Sequence, residues 1–213
     1  LEEGIKNIDL ITLNTTEVNF KEFPTDSIID RWQQNFDEKN GGINRAPKFM
    51  MPNNLEFLLR YGFQYTNEKV LKHVYLTLDK MAYGGVYDHI GGGFSRYSTD
   101  IRWHIPHFEK MLYDNAQLVS LYSHAYAISQ KPLYKEVVIE TLEYIAKEMT
   151  TNEGAFYSSL DADSELDNGE LEEGVYYIFT KEELKDQLQS DFDLFSAYYN
   201  INSYGLWEKD NYV

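Results

Sequence analysis

Apolar residues recur at helical spacing in one segment after another, and this periodicity constrains the fold more than any other feature of the sequence. Residues 25–36 and 67–81 each place their apolar side chains on one face of a 3.6-residue period. With capping and proline signals, the same pattern predicts further helices beginning near Asn53, Phe108, Pro132, Thr180 and Asp191. The 213 residues are enough to bury a sizeable core. We therefore expect a mainly helical protein.

A glycine-containing segment follows three of the predicted helices. These segments are Asn40-Gly41-Gly42-Ile43, Tyr83-Gly84-Gly85-Val86 and Glu153-Gly154-Ala155-Phe156. Glycine commonly ends a helix, and the repetition of helix, glycine turn, polar loop and helix predicts stacked helical hairpins. In such an arrangement the long loops meet at one end of the protein, where function is usually built. Short strands are expected only in these loops, pairing residues 94–98 with 103–106 and residues 155–159 with 175–179.

Composition excludes several classes of protein. The formal net charge of -16 repels nucleic acid and anionic membrane surfaces. The chain has no cysteine, which removes disulfides, thiolate metal sites and cysteine nucleophiles and fits a reducing cytoplasm. The motifs of serine hydrolases, zinc proteases and dinucleotide-binding enzymes are also absent from the sequence. We expect no cofactor, no metal, no nucleic acid and no membrane partner.

The stretch "YDHIGGGFSRYSTDIRWHIPHFEKMLYDNA", residues 87–116, concentrates side chains that can do chemistry. Histidine acts as an acid or base near neutral pH, and a carboxylate beside Arg or His can be tuned to either role. A helix starting at Phe108 would also pair Lys110 with Asp114, four residues apart. Two interpretations stay open: a ligand site, or a loop held by salt bridges and hydrogen bonds. The candidate side chains are Tyr87, Asp88, His89, Arg96, Tyr97, Trp103, His104, His107, Glu109, Lys110, Tyr113 and Asp114.

A second stretch, residues 156–180, is acidic and contains no Lys or Arg. Asp161 and Asp163 directly follow an apolar, strand-like segment, so they are candidates for a pocket. Paired carboxylates are the catalytic groups of glycoside hydrolases. A calcium-binding loop and a solvated acidic loop are the alternatives, although the spacing does not match an EF-hand.

The segments "GGINRAPKF", "GGVYDHIGGGFSRYSTDIRWHIPHFEKMLYDNA", "FYSSLDADSE", "EEGVYYIFT" and "YGLWE" occur in that order. Together they resemble the helical part of the thioredoxin-domain family that includes spermatogenesis-associated protein 20. The resemblance begins near Thr25 and continues to the end of the chain. It implies an all-α fold: a partial (α/α) toroid of the six-hairpin glycosidase type, with short β-hairpins in its connecting loops. We expect residues 1–23 to be a tail or linker and residues 24–213 an incomplete toroid domain.

The resemblance also implies carbohydrate binding or carbohydrate chemistry. In an epimerase-like version, two bases face opposite sides of a sugar carbon, and the candidates are His104 with His107 or His89. In a hydrolase-like version, Asp88, Glu109, Asp161 or Asp163 serve as acid and base. The expected binding residues are the ring-bearing Tyr87, Tyr97, Trp103 and Tyr113, with Arg96, Lys110 and Asp114 as polar anchors.

A non-catalytic role is the alternative. Here the helical domain is a docking or regulatory module for a thioredoxin-like domain in the full-length protein. An incomplete toroid would expose apolar helix faces, so self-association through those faces is expected as well.

Overall fold

The computed structural model describes residues 25–166, 168–207 and 210–213. The predicted tail, residues 1–23, lies outside this part of the chain. The described residues belong to two compact units that divide between Gln34 and Asn35. The first contains helix α1 (Thr25–Gln33), and the second, Asn35–Val213, contains every other helix and strand. None of the helices in the described ranges is long and apolar enough to cross a membrane.

The fold is mainly helical, as the periodicity predicts. Local capping explains two of the helix starts: the Asn67 side chain accepts a hydrogen bond from Val70 N–H, and Thr180 and Glu183 form a complete capping box. One predicted boundary is wrong, because the helix expected from Phe108 begins at Leu112. The helices are α1 (Thr25–Gln33), α2 (Pro52–Gln64), α3 (Glu68–Ala82), α4 (Leu112–Ser129), α5 (Pro132–Glu148), α6 (Lys181–Leu188) and α7 (Phe192–Tyr199).

The helices of the second unit pack as successive hairpins, α2 on α3 and α4 on α5, with α2 also against α4. Aromatic side chains supply much of the buried volume. Tyr122 on α4 is fully buried, and its hydroxyl donates to the Leu78 carbonyl of α3 over 2.8 Å. Tyr134 on α5 is also buried and donates to Asp79 Oδ1 over 2.9 Å. These two buried hydroxyls are satisfied, so burying them carries little desolvation cost.

Short antiparallel strands lie in the connections between helices, as expected, but most of their pairings differ from the prediction. The strands are β1 (Lys48–Phe49), β2 (Tyr97–Ser98), β3 (Pro106–His107), β4 (Lys110–Met111), β5 (Ser159–Leu160), β6 (Asp163–Glu165), β7 (Leu171–Glu173), β8 (Phe179–Thr180) and β9 (Asn211–Tyr212). Only the predicted pairing of residues 94–98 is partly confirmed, since β2 pairs with β3 and with β1. The second predicted hairpin, residues 155–159 with 175–179, is wrong, because β5 pairs with β4, β6 with β7, and β8 with β9.

A turn motif occurs twice in the second unit and explains much of the polar sequence. Phe36 pairs with Ile43 in one copy and Tyr87 with Phe94 in the other. An aspartate follows the first bridge residue in both copies, and its Oδ1 accepts two backbone N–H groups at 2.8–3.0 Å. This repeat, over residues 36–43 and 87–94, differs from the predicted repeat of glycine segments at 40–43, 83–86 and 153–156, because only the first of those segments lies within a copy of the turn.

Each copy of this turn is fixed by a buried lysine. Lys48 Nζ lies 2.8 Å from Asp37 Oδ2, and Lys110 Nζ lies 2.7 Å from Asp88 Oδ2. Both lysines are almost completely buried. We call these pairs the two Asp–Lys locks. The lysine reaches back from a later strand, so each lock fastens a glycine turn to the sheet that follows it.

The Asp37 lock gives a prediction for acid stability. Burial raises the pKa of Asp37, but Lys48, Asn40 and Lys39 outweigh that effect and lower the pKa from 3.8 to about 2. A folded-state pKa below the unfolded value stabilises the protein at neutral pH, and this contribution is lost as pH falls from about 4 to about 2. The shift corresponds to about 2 kcal/mol. Urea unfolding across this pH range should show a shallower acid dependence in Asp37→Asn than in wild type. An equally steep dependence in both proteins would contradict the assignment.

Candidate functional site

The three-stranded sheet β1–β2–β3 brings together four residues from the stretch 87–116. Tyr97 lies on β2, His107 on β3, and Glu109 just beyond β3. Arg96 precedes β2, and its backbone N–H donates to the Glu109 carbonyl over 2.8 Å, which extends the pairing of the strands. The following helix, α4, adds two further residues in its first turn. We call this set the Arg96 cluster: Arg96, Tyr97, His107, Glu109, Tyr113 and Asp114.

An ion pair lies at the centre of the Arg96 cluster. Arg96 Nη1 lies 3.0 Å from Glu109 Oε2, with both side chains partly exposed. Hydrogen bonding to Glu109 and the neighbouring Tyr113 raise the pKa of Arg96. An exposed pair of this kind contributes little to stability. Its polar atoms instead remain accessible to a ligand.

His107 is held between an aromatic ring and two carboxylates. Its ring stacks on Tyr97 with the centroids 4.8 Å apart and the planes inclined by 20°. Its Nδ1 lies 3.8 Å from Glu109 Oε2, and its Nε2 lies 3.8 Å from Glu173 Oε1 on β7. Neither separation is a hydrogen bond, and within the described part of the chain Nδ1 is buried without a hydrogen-bond partner. The imidazole is therefore held in place by its neighbours but forms no hydrogen bond with either carboxylate.

Asp114 is a carboxylate of the cluster whose pKa is raised. Burial in the first turn of α4 raises its pKa to about 6, although the Arg96 charge opposes the rise. A carboxyl group with this pKa exchanges a proton near neutral pH, which is what general acid–base catalysis requires. The adjacent Tyr113 is 48% exposed, and Phe49, which contacts the Tyr97 ring, is 50% exposed. The cluster thus combines acid–base groups, an anchoring cation and open aromatic surface.

Asp88 and Lys110, two other candidates, are occupied in one of the Asp–Lys locks. Lys110 Nζ also donates to the Gly92 carbonyl over 2.9 Å and lies 4.5 Å from the ring centroid of Tyr144. Burial lowers the pKa of Lys110, whereas Asp88 opposes that change. The predicted Lys110–Asp114 pair is wrong, because Lys110 lies on β4, before the helix begins. Because of these contacts, we assign Asp88 and Lys110 a structural role in the turn.

Two aromatic candidates are buried in the core. Trp103 has no exposed surface, and its indole Nε1–H donates to the Asn40 carbonyl over 2.9 Å. Tyr87 is buried too, and its hydroxyl donates to Glu140. Neither ring offers a free face for a sugar to stack on. This burial corrects the expectation that they are binding residues.

The other histidine and aspartate candidates have their contacts outside the Arg96 cluster in the part of the chain that the structure describes. His89 Nε2 lies 3.2 Å from the Gly84 carbonyl, and burial lowers the pKa of its imidazole. His104 Nδ1 lies 3.1 Å from Arg102 Nη2, and burial followed by the Arg102 charge lowers its pKa. Asp161 and Asp163 are exposed, with Asp163 directly across from Glu173 in the β6–β7 hairpin. Among the described residues, no three His, Asp or Glu side chains converge closely enough to hold a metal ion.

Sequence reasoning missed two residues that shape the site. Glu173 belongs to the acidic stretch, but nothing in its local pattern singled it out as a neighbour of His107. Asn115 is fully buried at the start of α4, where its side chain exchanges hydrogen bonds with the backbone of Phe94 at 2.7 and 3.0 Å. A buried amide with both ends satisfied fixes the glycine turn against the helix. The only sequence feature that could have indicated this role of Asn115 was the apolar character of the helix around it, since a buried amide needs hydrogen-bond partners.

An open groove of about 510 Å³ runs along α3, lined by Glu68, Leu71, Lys72, Tyr75, Leu76 and Asp79. It shares no residue with the Arg96 cluster. Its exposed surface is mostly apolar, and its Asp79 is already paired with Lys131 and Tyr134, so we do not assign it as the functional site.

The fold is shared with segments of two solved sugar epimerases. A sugar epimerase from a ruminal bacterium matches with a TM-score of 0.57 and 18% identity, over 63% of this chain and 37% of that one. The cellobiose 2-epimerase from Bacillus thermoamylovorans B4167 matches with a TM-score of 0.53 and 15% identity, over 85% of this chain and 53% of that one. At these identities the similarity shows a common helical fold and nothing further.

Sequence comparison gives closer relatives. No family model matches the chain. Spermatogenesis-associated protein 20 from Homo sapiens is 40% identical over 188 residues, which are 84% of this chain and 24% of that protein. An uncharacterised protein of Caenorhabditis elegans is 35% identical over 221 residues, or 96% of this chain and 30% of that protein. The chain thus spans about a quarter of its human relative. As the sequence motifs predict, it is a homologue of spermatogenesis-associated protein 20 over that segment.

Proposed function

We propose that this chain carries a saccharide-binding site at the Arg96 cluster, within a domain whose helical hairpins form part of an (α/α) toroid. The observation that supports it best is the convergence of Arg96, Glu109 and His107 at one sheet with Asp114 from the first turn of α4, next to open aromatic surface. Sugar sites combine such polar groups, which bind hydroxyls, with aromatic faces, which pack on the C–H face of the ring. The fold similarity to sugar epimerases agrees with this proposal.

The same geometry suggests how the site would act on a sugar. Asp114 would accept or donate a proton, since its pKa of about 6 lies near neutrality. His107 would serve as the second acid–base group, with its Nδ1 3.8 Å from Glu109 Oε2. Epimerase-like chemistry needs two such groups on opposite faces of one carbon. In a hydrolase-like version, Glu109 with the exposed Asp161 or Asp163 would take these roles.

A thermal-shift screen with glucose, mannose, N-acetylglucosamine and cellobiose tests the proposal. A sugar present at about 100 times its dissociation constant stabilises the folded state by roughly 2.7 kcal/mol, which raises Tm measurably. We expect the shift in wild type and its loss in Arg96→Gln. The matched control is Arg60→Gln, because Arg60 forms an exposed pair with Glu56 on α2, outside the cluster. A shift of equal size in all three proteins would place the sugar elsewhere.

Exposed apolar side chains support a second candidate function, docking of a protein partner. Leu194 and Tyr198 on α7 are 78% and 69% exposed, and Tyr176 is 74% exposed. Surfaces of this kind mark protein interfaces. The partner would be a thioredoxin-like domain of the longer protein or a second copy of this chain. If no sugar raises Tm in a protein that melts cooperatively, the screen favours this docking role.

A further inference from the structure

The charges around the Arg96 cluster indicate which kind of saccharide it accepts, provided that the proposed function is correct. Glu109 and Asp114 lie beside a single guanidinium, that of Arg96, and a third carboxylate, that of Glu173, lies next to His107. Glu109 already neutralises Arg96 directly. In the described part of the chain, neither Asp114 nor Glu173 forms an ion pair with a Lys or Arg, although His107 Nε2 lies 3.8 Å from Glu173 Oε1. The site therefore carries a net negative charge.

The two lysines nearest to this sheet in sequence do not offset that charge. Lys48 lies on β1 and Lys110 on β4, but each points into the core and pairs with an aspartate at 2.7–2.8 Å. Both Nζ atoms are buried, so neither ammonium is available to an anionic ligand. The β6–β7 hairpin adds further negative charge, since Asp163 lies across from Glu173 and Glu172 across from Ser164.

The aromatic groups of the site fit a cation as well. The Tyr97, Phe49 and His107 rings form a continuous stack, with adjacent centroids 4.8 Å apart. Ring faces attract cations through their quadrupole, and nearby carboxylates increase that attraction. A phosphate or carboxylate group on the ligand would instead meet like charge at Glu173 and Asp114.

We propose that the Arg96 cluster selects a saccharide that bears a free, protonated amine, and that it discriminates against sugar phosphates and uronic acids. Glu173 is the specificity-determining residue, since it contributes charge without an ion-pair partner other than His107. The amine would bind beside Glu173, with the sugar ring against the exposed ring of Phe49. Arg96 and Glu109 would then bind the ring hydroxyls.

Calorimetric titration at about pH 6.5, where an aliphatic amine is protonated, tests this selection. The ligands are glucosamine, glucose, N-acetylglucosamine, glucose 6-phosphate and glucuronate. We expect glucosamine to bind about tenfold more tightly than glucose, and the two anions to bind most weakly. The preference for glucosamine over glucose should shrink at high salt. Glu173→Gln should reduce it about threefold, whereas Glu182→Gln, an exposed carboxylate on α6, should leave it unchanged.

The outcomes distinguish this inference from the function on which it rests. Equal binding of glucosamine and glucose, or tighter binding of an anionic sugar, overturns the amine preference and leaves a saccharide site in place. Loss of the preference in Glu182→Gln as well as in Glu173→Gln would overturn the role of Glu173. Absence of binding by all five ligands overturns both the proposed function and the inference.

Discussion

Replacing Asp88 with asparagine should destabilise the protein by about 3–5 kcal/mol, since it leaves the buried Lys110 ammonium without its counter-charge. Asparagine keeps an oxygen that can accept the N–H groups of Ile90 and Gly91, so the turn itself is preserved. What is lost is the contact at 2.7 Å between Lys110 Nζ and the carboxylate. Urea unfolding followed by circular dichroism measures the change in free energy.

Two further variants show whether the lock is responsible. The double variant Asp88→Asn with Lys110→Met buries no unpaired charge. Its loss in the free energy of unfolding should therefore be clearly smaller than the sum of the losses in the two single variants. Arg60→Gln removes an exposed ion pair and should cost less than about 1 kcal/mol. An Asp88→Asn variant as stable as Arg60→Gln would show that the Asp88 lock does not hold the turn.

Replacing Gly93 with alanine should have an effect of similar size for a different reason. Gly93 has a φ of +81°, which costs a residue with a Cβ about 1–2 kcal/mol. The new Cβ would also lie 2.5 Å from Tyr144 Cδ1, inside van der Waals contact with a ring in the core. Overpacking of this kind adds typically about 1–3 kcal/mol. We therefore expect a loss of about 3 kcal/mol in the free energy of unfolding.

Gly154→Ala is the matched control for this prediction. Gly154 has nearly the same φ, +83°, but no atom lies within 4 Å of the position that its Cβ would occupy. Alanine at this position should lower the free energy of unfolding only through the strain of its positive φ, by about 1 kcal/mol. The difference between the two variants measures how tightly Tyr144 packs on the glycine turn. Equal losses would mean that Tyr144 moves aside freely.

The helices could be predicted from the sequence because their signals are local. Periodicity over 67–81 and the Thr180–Glu183 capping box each depend on residues within a few positions of one another, and both are confirmed. The start of α4 was misplaced for the same reason. Nothing near Phe108 reveals that Lys110 and Met111 pair as a strand with residues almost fifty positions later.

The candidate site was harder to predict because its geometry comes from non-local contacts. The sequence placed most of the relevant side chains in residues 87–116, and the structure divides them between the Arg96 cluster, a lock and the core. Whether an aspartate reaches a lysine 22 positions away, as Asp88 does, depends on strand pairing that no local pattern encodes. The partnership of Glu173 with His107 is of the same kind.

The most direct test of the central claim, that the Arg96 cluster binds a ligand while the locks are structural, is a sugar titration followed by two-dimensional NMR of the labelled protein. We use whichever sugar raises Tm most. Backbone signals of Arg96, Tyr97, His107 and Tyr113 should shift together with a single dissociation constant, while those of Asp37 and Asp88 should stay in place. Shifts confined to residues outside the Arg96 cluster would contradict it.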